Sequence, residues 1–220
     1  MTTRRQFVQS LPAFAVAGHM ILEGGSAHGQ SPAPAKDHFH PQGKAPSPFT
    51  RAILEKAKAR LPFADEQDFE EQRKGLIAPM KELTIKADAG HLAWDMERFQ
   101  FLDKQAEFDS IHPSLLRQSV LNNNYGLYEV IPGIYQVRGF DLADITFVRG
   151  KTGWIVFDTL VSVEPVRAAW RLFQEHVGQG LPVSAVIYSH SHGDHWGGAR
   201  GIVQEADVRA GKIPIIAPRD

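Results

Sequence analysis

The chain has 220 residues, of which 43% are hydrophobic and 10% aromatic, so it can bury the core of one or two domains and is not generally disordered. Its 24 Lys and Arg residues nearly balance 25 Asp and Glu residues, so no global positive charge attracts nucleic acid or anionic lipid. The absence of cysteine excludes disulfides, Cys-based zinc sites, iron–sulfur ligation and thiol catalysis. Histidine and carboxylate side chains remain as strong metal ligands, and we expect no nucleic-acid partner.

The first residues are typical of an export signal. Arg4 and Arg5, followed by the aromatic Phe7, match the twin-arginine pattern, and a moderately apolar stretch follows at 11–22. That stretch is shorter than the about 20 apolar residues that span a bilayer, so we expect no transmembrane segment. We therefore predict a twin-arginine signal peptide at 1–29 and a periplasmic or secreted protein. The alternative is an ordinary basic N-terminus before a buried helix.

Residues 30–48 have the composition of a linker, with prolines among small and polar residues. The pair His38 and His40 lies in this segment, but no further ligand follows at short spacing. We expect a solvated tail there rather than a metal site.

Residues 49–121 favour helices, and we predict a helical segment before the main domain. Apolar residues recur at near-helical spacing in two series, which are Ala52, Leu54, Ala57 and Leu61, and then Trp94, Met96, Phe99, Phe101, Leu102 and Phe108. The aromatic residues of the second series are either the buried faces of helices or the lining of a lipophilic pocket.

Short β-rich runs separated by turn residues begin after the helical segment and predict four strands, at 127–131, 134–138, 145–149 and 154–157. An amphipathic helix follows, with Ser162 as its N-cap and Gly178 as its C-terminal stop. The continuous apolar run 183–188 predicts a buried strand, and a further strand is expected at 213–217. This order describes an α/β unit whose chemistry lies at the carboxyl end of a strand.

The polar segment after residue 188 carries the candidate metal ligands. In extended backbone His190 and His192 point the same way, so both can bind one ion. Gly193 permits a turn that directs Asp194 and His195 towards a neighbouring point, so the spacing supports two adjacent metal centres. Gly197 and Gly198 then allow the backbone to approach closely.

This His-x-His-x-Asp-His motif followed by Gly-Gly, just after a buried strand, resembles the metal-binding signature of the metallo-β-lactamase fold. The resemblance implies an α/β protein with an αββα sandwich, of which residues 122–220 form the N-terminal half. It implies that His190 and His192 bind one zinc ion and that Asp194 and His195 bind the other. Asp158, at the end of a strand, lies where this fold often has a supporting aspartate, although a helix N-terminal carboxylate is an equal alternative.

The stretches 122–130 and 133–142, the continuation 195–201 and the helical segment resemble the exported alkylsulfatases of this superfamily. That resemblance implies hydrolysis of a small-molecule alkyl sulfate to alcohol and inorganic sulfate by a metal-bound hydroxide, with two Zn²⁺ per complete site. It also implies later ligands and further domains, including one for homodimerisation. We therefore expect the chain to be a truncated N-terminal portion that is not a competent hydrolase alone. The alternatives are another hydrolase of the same fold, such as a lactamase or thioesterase, and a non-catalytic periplasmic metal-binding remnant.

Overall fold

The structure of the chain is a computed structural model, which describes residues 45–104 and 108–219. The predicted signal peptide at 1–29 and the histidine pair of the linker lie outside the described residues. Across the described ranges, no helix has both the length and the apolar character needed to cross a bilayer.

A seven-stranded mixed sheet is the main element. Its strands, in spatial order, are β1 (Leu76–Pro79), β4 (Gly126–Ile131), β5 (Ile134–Arg138), β6 (Ile145–Arg149), β7 (Trp154–Phe157), β8 (Val183–Ile187) and β9 (Ile215–Ile216), and a separate hairpin contains β2 (Thr84–Lys86) and β3 (Leu92–Asp95). Neighbours from β1 to β7 are antiparallel, whereas β7, β8 and β9 run parallel. The parallel strands therefore all point their carboxyl ends to one edge of the sheet.

Helices surround this sheet along the chain. They are α1 (Pro48–Arg60), α2 (Gln67–Glu71), α3 (Pro113–Asn122), α4 (Val163–Phe173), α5 (Gly193–Trp196) and α6 (Glu205–Arg209), with 3₁₀ helices at Glu97–Lys104 and Ala199–Gly201. Helices α1 and α3 both begin with a proline, and the polar residue before that proline caps the helix N-terminus. The Ser47 hydroxyl accepts from the Thr50 amide at 3.1 Å, and the His112 ring nitrogen accepts from the Ser114 amide at 3.2 Å.

The core lies between α4 and the sheet. Val166, Ala169 and Phe173 of α4 are fully buried, as its amphipathic pattern requires. The Phe173 ring stacks on Phe147 of β6 with 4.1 Å between centroids, and it meets Trp154 of β7 edge-on at 4.8 Å. Helix α4 is thereby fixed against β6 and β7.

The second half of the chain confirms its predicted elements. Strands β5, β6 and β7 have the predicted bounds, β4 begins one residue earlier, and β8 ends one residue earlier. Helix α4 has Ser162 as its N-cap residue and continues as a π-helical turn, Gln174–Gly178, that ends at the predicted glycine. The strand expected at 213–217 is shorter, at Ile215–Ile216, and is parallel to β8.

The first half contains the expected helices but also three strands that its sequence did not predict. Trp94 lies in β3, so its assignment to a helical apolar series is wrong. The physical reason is tertiary pairing: β1 adds to the sheet beside β4, and β2 pairs with β3. The Trp94 indole N–H donates to the Gly139 carbonyl at 2.9 Å, which joins the hairpin to the turn after β5.

Candidate metal centre

The loops after β7 and β8 lie side by side at the carboxyl edge of the parallel strands. The Asp158 amide donates to the Ile187 carbonyl at 2.9 Å, which continues the pairing one residue past β7. The Thr159 amide donates to the His195 carbonyl at 2.7 Å. Two segments 36 residues apart in the chain are therefore joined directly through their backbones. The sequence-predicted site is at the strand ends, where α/β folds place their chemistry.

The loop between β7 and α4 has an unusual backbone. Asp158 has φ 59° and Leu160 has φ 55°, which are left-handed conformations. A non-glycine residue in this region costs about 1–3 kcal/mol, and Leu has no local hydrogen bond to offset that cost. Complete burial of the Leu160 side chain holds it there. The strain lies directly beside the candidate ligands.

The carboxylate of Asp158 is the centre of a hydrogen-bond network. Its Oδ1 accepts from the Ser189 amide at 2.8 Å, and its Oδ2 accepts from the Ser189 hydroxyl at 2.8 Å. The same Oδ2 lies 2.8 Å from His195 Nδ1. Burial opposes the negative charge, but these hydrogen bonds outweigh it, so the pKa of Asp158 is lower than usual. Asp158 therefore contacts a candidate ligand and orients its ring.

The four predicted ligands form two pairs. His190 Nε2 lies 3.0 Å from His192 Nδ1, and His195 Nε2 lies 3.3 Å from Asp194 Oδ2. The pairs are adjacent, since the rings of His190 and His195 have centroids 3.9 Å apart. Within residues 45–104 and 108–219, no three His, Asp or Glu side chains are grouped so that they could hold one ion. Each pair thus offers two donors to one position.

The two glycines after the motif permit this close packing. A Cβ on Gly197 would lie 2.1 Å from the Val161 carbonyl oxygen, and a Cβ on Gly198 would lie 2.3 Å from the Thr159 carbonyl oxygen. Real side chains do not approach so closely, so only glycine brings the end of α5 against the loop after β7. The sequence expectation of close backbone approach at these positions is confirmed.

Asp141 is a residue of this region that the sequence interpretation did not select. It is only 6% exposed, and its carboxylate accepts from the amides of Leu142 and Val161, the latter at 3.0 Å. Burial raises the pKa of Asp141 above its usual value, the two amide hydrogen bonds oppose the rise, and the charge of Asp194 adds to it. Asp141 therefore ties the turn after β5 to the strained loop after β7. No local sequence signal identifies a contact across 20 residues.

A cleft of about 740 Å³ lies between residues of the range 68–124 and the turn after β5. Its apolar lining includes Trp94, Met96, Phe99 and Leu102, and its polar lining includes Arg138 and Asp141. Four of the six residues of the second apolar series therefore line a pocket, whereas Phe101 and Phe108 are not part of its lining. Asp141 contributes to this cleft and also contacts the loop beside the candidate ligands.

Comparison with known proteins gives a consistent result. Residues 138–219 match the family model described as the metallo-beta-lactamase superfamily. The chain is 47% identical over 175 residues to an (R)-specific secondary-alkylsulfatase of Pseudomonas sp., which covers 80% of this chain and 26% of that protein. It is 42% identical over 207 residues to a linear primary-alkylsulfatase of Pseudomonas sp., covering 94% of this chain and 29% of that protein. An alkyl/aryl-sulfatase of Saccharomyces cerevisiae is 42% identical over 168 residues, or 76% of this chain and 26% of that protein.

A solved structure, the stereoselective inverting sec-alkylsulfatase from Pseudomonas sp., is similar to the chain with a TM-score of 0.73 at 47% identity. The similarity covers 78% of this chain and 27% of that one. The chain thus spans between a quarter and a third of the length of the curated relatives it matches. These comparisons confirm the resemblance in family and fold that the sequence motifs indicated.

Proposed function

We propose that the protein hydrolyses alkyl sulfate esters to alcohol and inorganic sulfate with the help of two zinc ions, because residues 138–219 match the family model of the metallo-beta-lactamase superfamily. Three alkylsulfatases that are 42–47% identical to the chain support the substrate class. The observation that carries the proposal is the arrangement of four ligand side chains in two adjacent donor pairs at the ends of parallel strands.

The donor pairs fit zinc in chemistry and in spacing. Two donors that bind a tetrahedral zinc ion at about 2.0–2.1 Å lie about 3.3 Å from each other. The separations of 3.0 Å between His190 Nε2 and His192 Nδ1 and of 3.3 Å between Asp194 Oδ2 and His195 Nε2 are close to that value. Three imidazoles and a carboxylate, without thiolate, suit Zn²⁺. His190 and His192 would hold one ion, and Asp194 and His195 the other.

Bound zinc supplies an activated water near neutral pH and positive charge for the anionic sulfate group. The residues of the chain supply orientation. Asp158 holds the Nδ1 side of His195 at 2.8 Å, which leaves Nε2 directed to the ion. Gly197 and Gly198 bring α5 against the loop after β7, so that the four ligands keep a fixed spacing. Rigid placement of this kind is what raises the rate of a hydrolytic reaction.

The alkyl chain of the substrate lies in the cleft of about 740 Å³ beside the centre. The apolar side chains of Trp94, Met96 and Phe99 line its wall and can contact the methylene groups of the alkyl chain. Burial of one methylene group contributes about 0.8 kcal/mol to the binding free energy.

Asp141 connects this cleft to the loop after β7, because it lines the cleft and accepts from the Val161 amide. That loop is joined to the ligand segment by the hydrogen bond from the Thr159 amide to the His195 carbonyl. In this proposal the tail of a long ester lies in the cleft and its sulfate head lies at the ligands.

The proposal also includes the cellular location and the assembly. Arg4, Arg5 and Phe7 support export by the twin-arginine route to the periplasm or the exterior. That route accepts folded proteins, which suits a metalloenzyme that acquires zinc before export. The whole protein acts as a homodimer in this proposal.

The test is zinc-dependent release of sulfate from dodecyl sulfate by the whole protein that contains this chain. Zinc-loaded wild-type protein should release sulfate, and His192→Ala should reduce the rate at least about 100-fold, because a ligand is lost. Ser191→Ala is the matched control, since it alters the neighbouring position in the same loop and should retain activity.

Turnover of a β-lactam or a thioester without sulfate release would instead support another hydrolase of the same fold. Tight zinc binding without any turnover would support a non-catalytic metal-binding protein. Either result would contradict the proposed function.

A further inference from the structure

The hydroxyl of Ser189 contacts both halves of the candidate centre. Its Oγ lies 2.8 Å from Asp158 Oδ2, 2.9 Å from His190 Nδ1 and 3.4 Å from His195 Nδ1. The backbone amide of the same residue donates to Asp158 Oδ1 at 2.8 Å. Ser189 is therefore fixed on one carboxylate and reaches one histidine from each donor pair.

The donors and acceptors of this network can be assigned by counting protons. A hydroxyl has one proton to donate and two lone pairs to accept, whereas an ionised carboxylate only accepts. The Ser189 proton therefore goes to Asp158, and the oxygen is left to accept from the ring of His190. His190 Nδ1 must then carry its proton, which leaves Nε2 with a free lone pair. Asp158 imposes the same state on His195, because its Oδ2 accepts from His195 Nδ1.

We propose that Ser189 is a positioning residue that fixes the tautomer and orientation of His190 and, through Asp158, couples this ring to His195. The unprotonated Nε2 of His190 then faces His192 Nδ1 at 3.0 Å, and His195, whose Nδ1 donates to Asp158, has its Nε2 3.3 Å from Asp194 Oδ2. One hydroxyl and one carboxylate thus prepare a donor in each pair. The identity of the metal in this inference rests on the proposed function, but the tautomer assignment does not.

The neighbouring serine provides a matched control. Ser191 is exposed in the same loop, and among the described residues no hydrogen bond of its hydroxyl is recorded; only its carbonyl is used, accepting from the Trp196 indole at 3.0 Å. Removal of the Ser191 hydroxyl therefore changes the same loop but leaves the hydrogen bonds of Ser189 in place. Ser189→Thr keeps a hydroxyl at the critical position and serves as the conservative variant.

The experiment uses the whole protein that contains this chain and measures ring tautomers by ¹⁵N NMR in its zinc-free form and zinc affinity by competition with a chelator. In wild-type protein and in Ser189→Thr, His190 should be protonated at Nδ1. In Ser189→Ala, the form of His190 protonated at Nδ1 should no longer be preferred. Zinc affinity should fall about 10–100-fold, as it does when other groups that orient metal-binding histidines are removed. Ser191→Ala should match wild type in both measurements.

An unchanged His190 tautomer in Ser189→Ala, or an equal loss of affinity in Ser191→Ala, would overturn the inference. A whole wild-type protein that binds no zinc would contradict the proposed function, whereas the NMR comparison would still decide the role of Ser189. The Ser189 side chain is exposed, so its removal leaves no cavity, and circular dichroism of each variant verifies that it is folded.

Discussion

Gly198 lies so close to Thr159 that its amide donates to the Thr159 carbonyl at 3.0 Å, and a Cβ on Gly198 would lie 2.3 Å from that same oxygen. This contact joins the segment after the ligand motif to the loop after β7. The position of the candidate ligands thus depends on the absence of a side chain at Gly198, and this dependence can be measured.

Gly198→Ala should destabilise the chain by about 1–3 kcal/mol, because the added methyl group forces two backbone segments apart. Gly193→Ala is the control, since a Cβ there meets nothing within 4 Å. Urea denaturation of both variants provides the comparison. Equal free energies of unfolding would show that the close approach is not needed for stability.

Asp158→Asn should weaken zinc binding about 10–100-fold, since an amide cannot accept all three hydrogen bonds that the carboxylate receives from Ser189 and His195. Asp88→Asn removes a carboxylate of the same type from an exposed ion pair with Arg167 and should leave zinc affinity unchanged. Titration calorimetry with zinc compares the two variants. A zinc affinity of Asp158→Asn equal to that of wild type would show that this carboxylate does not orient a zinc ligand.

Asp141 should make stability depend on pH with a defined sign. Burial, reinforced by the charge of Asp194, raises its pKa in the folded protein above its unfolded value. Its contribution to stability is therefore complete below the ordinary pKa and is lost as pH rises through the raised pKa. Asn cannot titrate, so the stability of zinc-free wild type relative to Asp141→Asn should decrease as the pH rises from below the ordinary carboxyl pKa through the raised pKa of Asp141.

Urea unfolding of the two proteins at a series of pH values measures this difference. A difference that stays constant, or that grows with pH, would contradict the direction assigned to Asp141.

Replacement of both Arg4 and Arg5 by lysine should leave most of the precursor in the cytoplasm, because the twin-arginine route requires the paired arginines. Arg51→Lys, in the first helix, is the control for a change of the same type and should be exported normally. Cell fractionation followed by immunoblotting measures the distribution. Mature double-lysine protein in the periplasm would show that export does not depend on the pair.

Much of the second half of the fold could be predicted because its periodicity is local. The apolar run 183–188 and the amphipathic spacing of Val166, Ala169 and Phe173 each predict their element without knowledge of a partner. The strands of the first half could not be predicted in this way. Strand β1, for example, is four residues long, contains Pro79 and buries only one side chain. Such a strand exists through its pairing with β4, which no local pattern encodes.

The candidate ligands could likewise be predicted because all four lie within six consecutive residues of one segment. The groups that orient them could not, since the contacts of Asp158 with Ser189 and of Asp141 with Val161 connect residues 31 and 20 positions apart. Such contacts depend on how β7 lies beside β8. The sequence suggested Asp158 only by family resemblance and did not indicate Ser189 at all.

The most direct test of the central claim is anomalous X-ray diffraction at the zinc edge from crystals of the whole zinc-loaded protein. We expect two zinc peaks, one beside His190 Nε2 and His192 Nδ1 and the other beside Asp194 Oδ2 and His195 Nε2. Crystals of the Ser191→Ala variant should give the same two peaks. A map with no peak at these four side chains, or with a single zinc ion bound to all of them, would contradict the account.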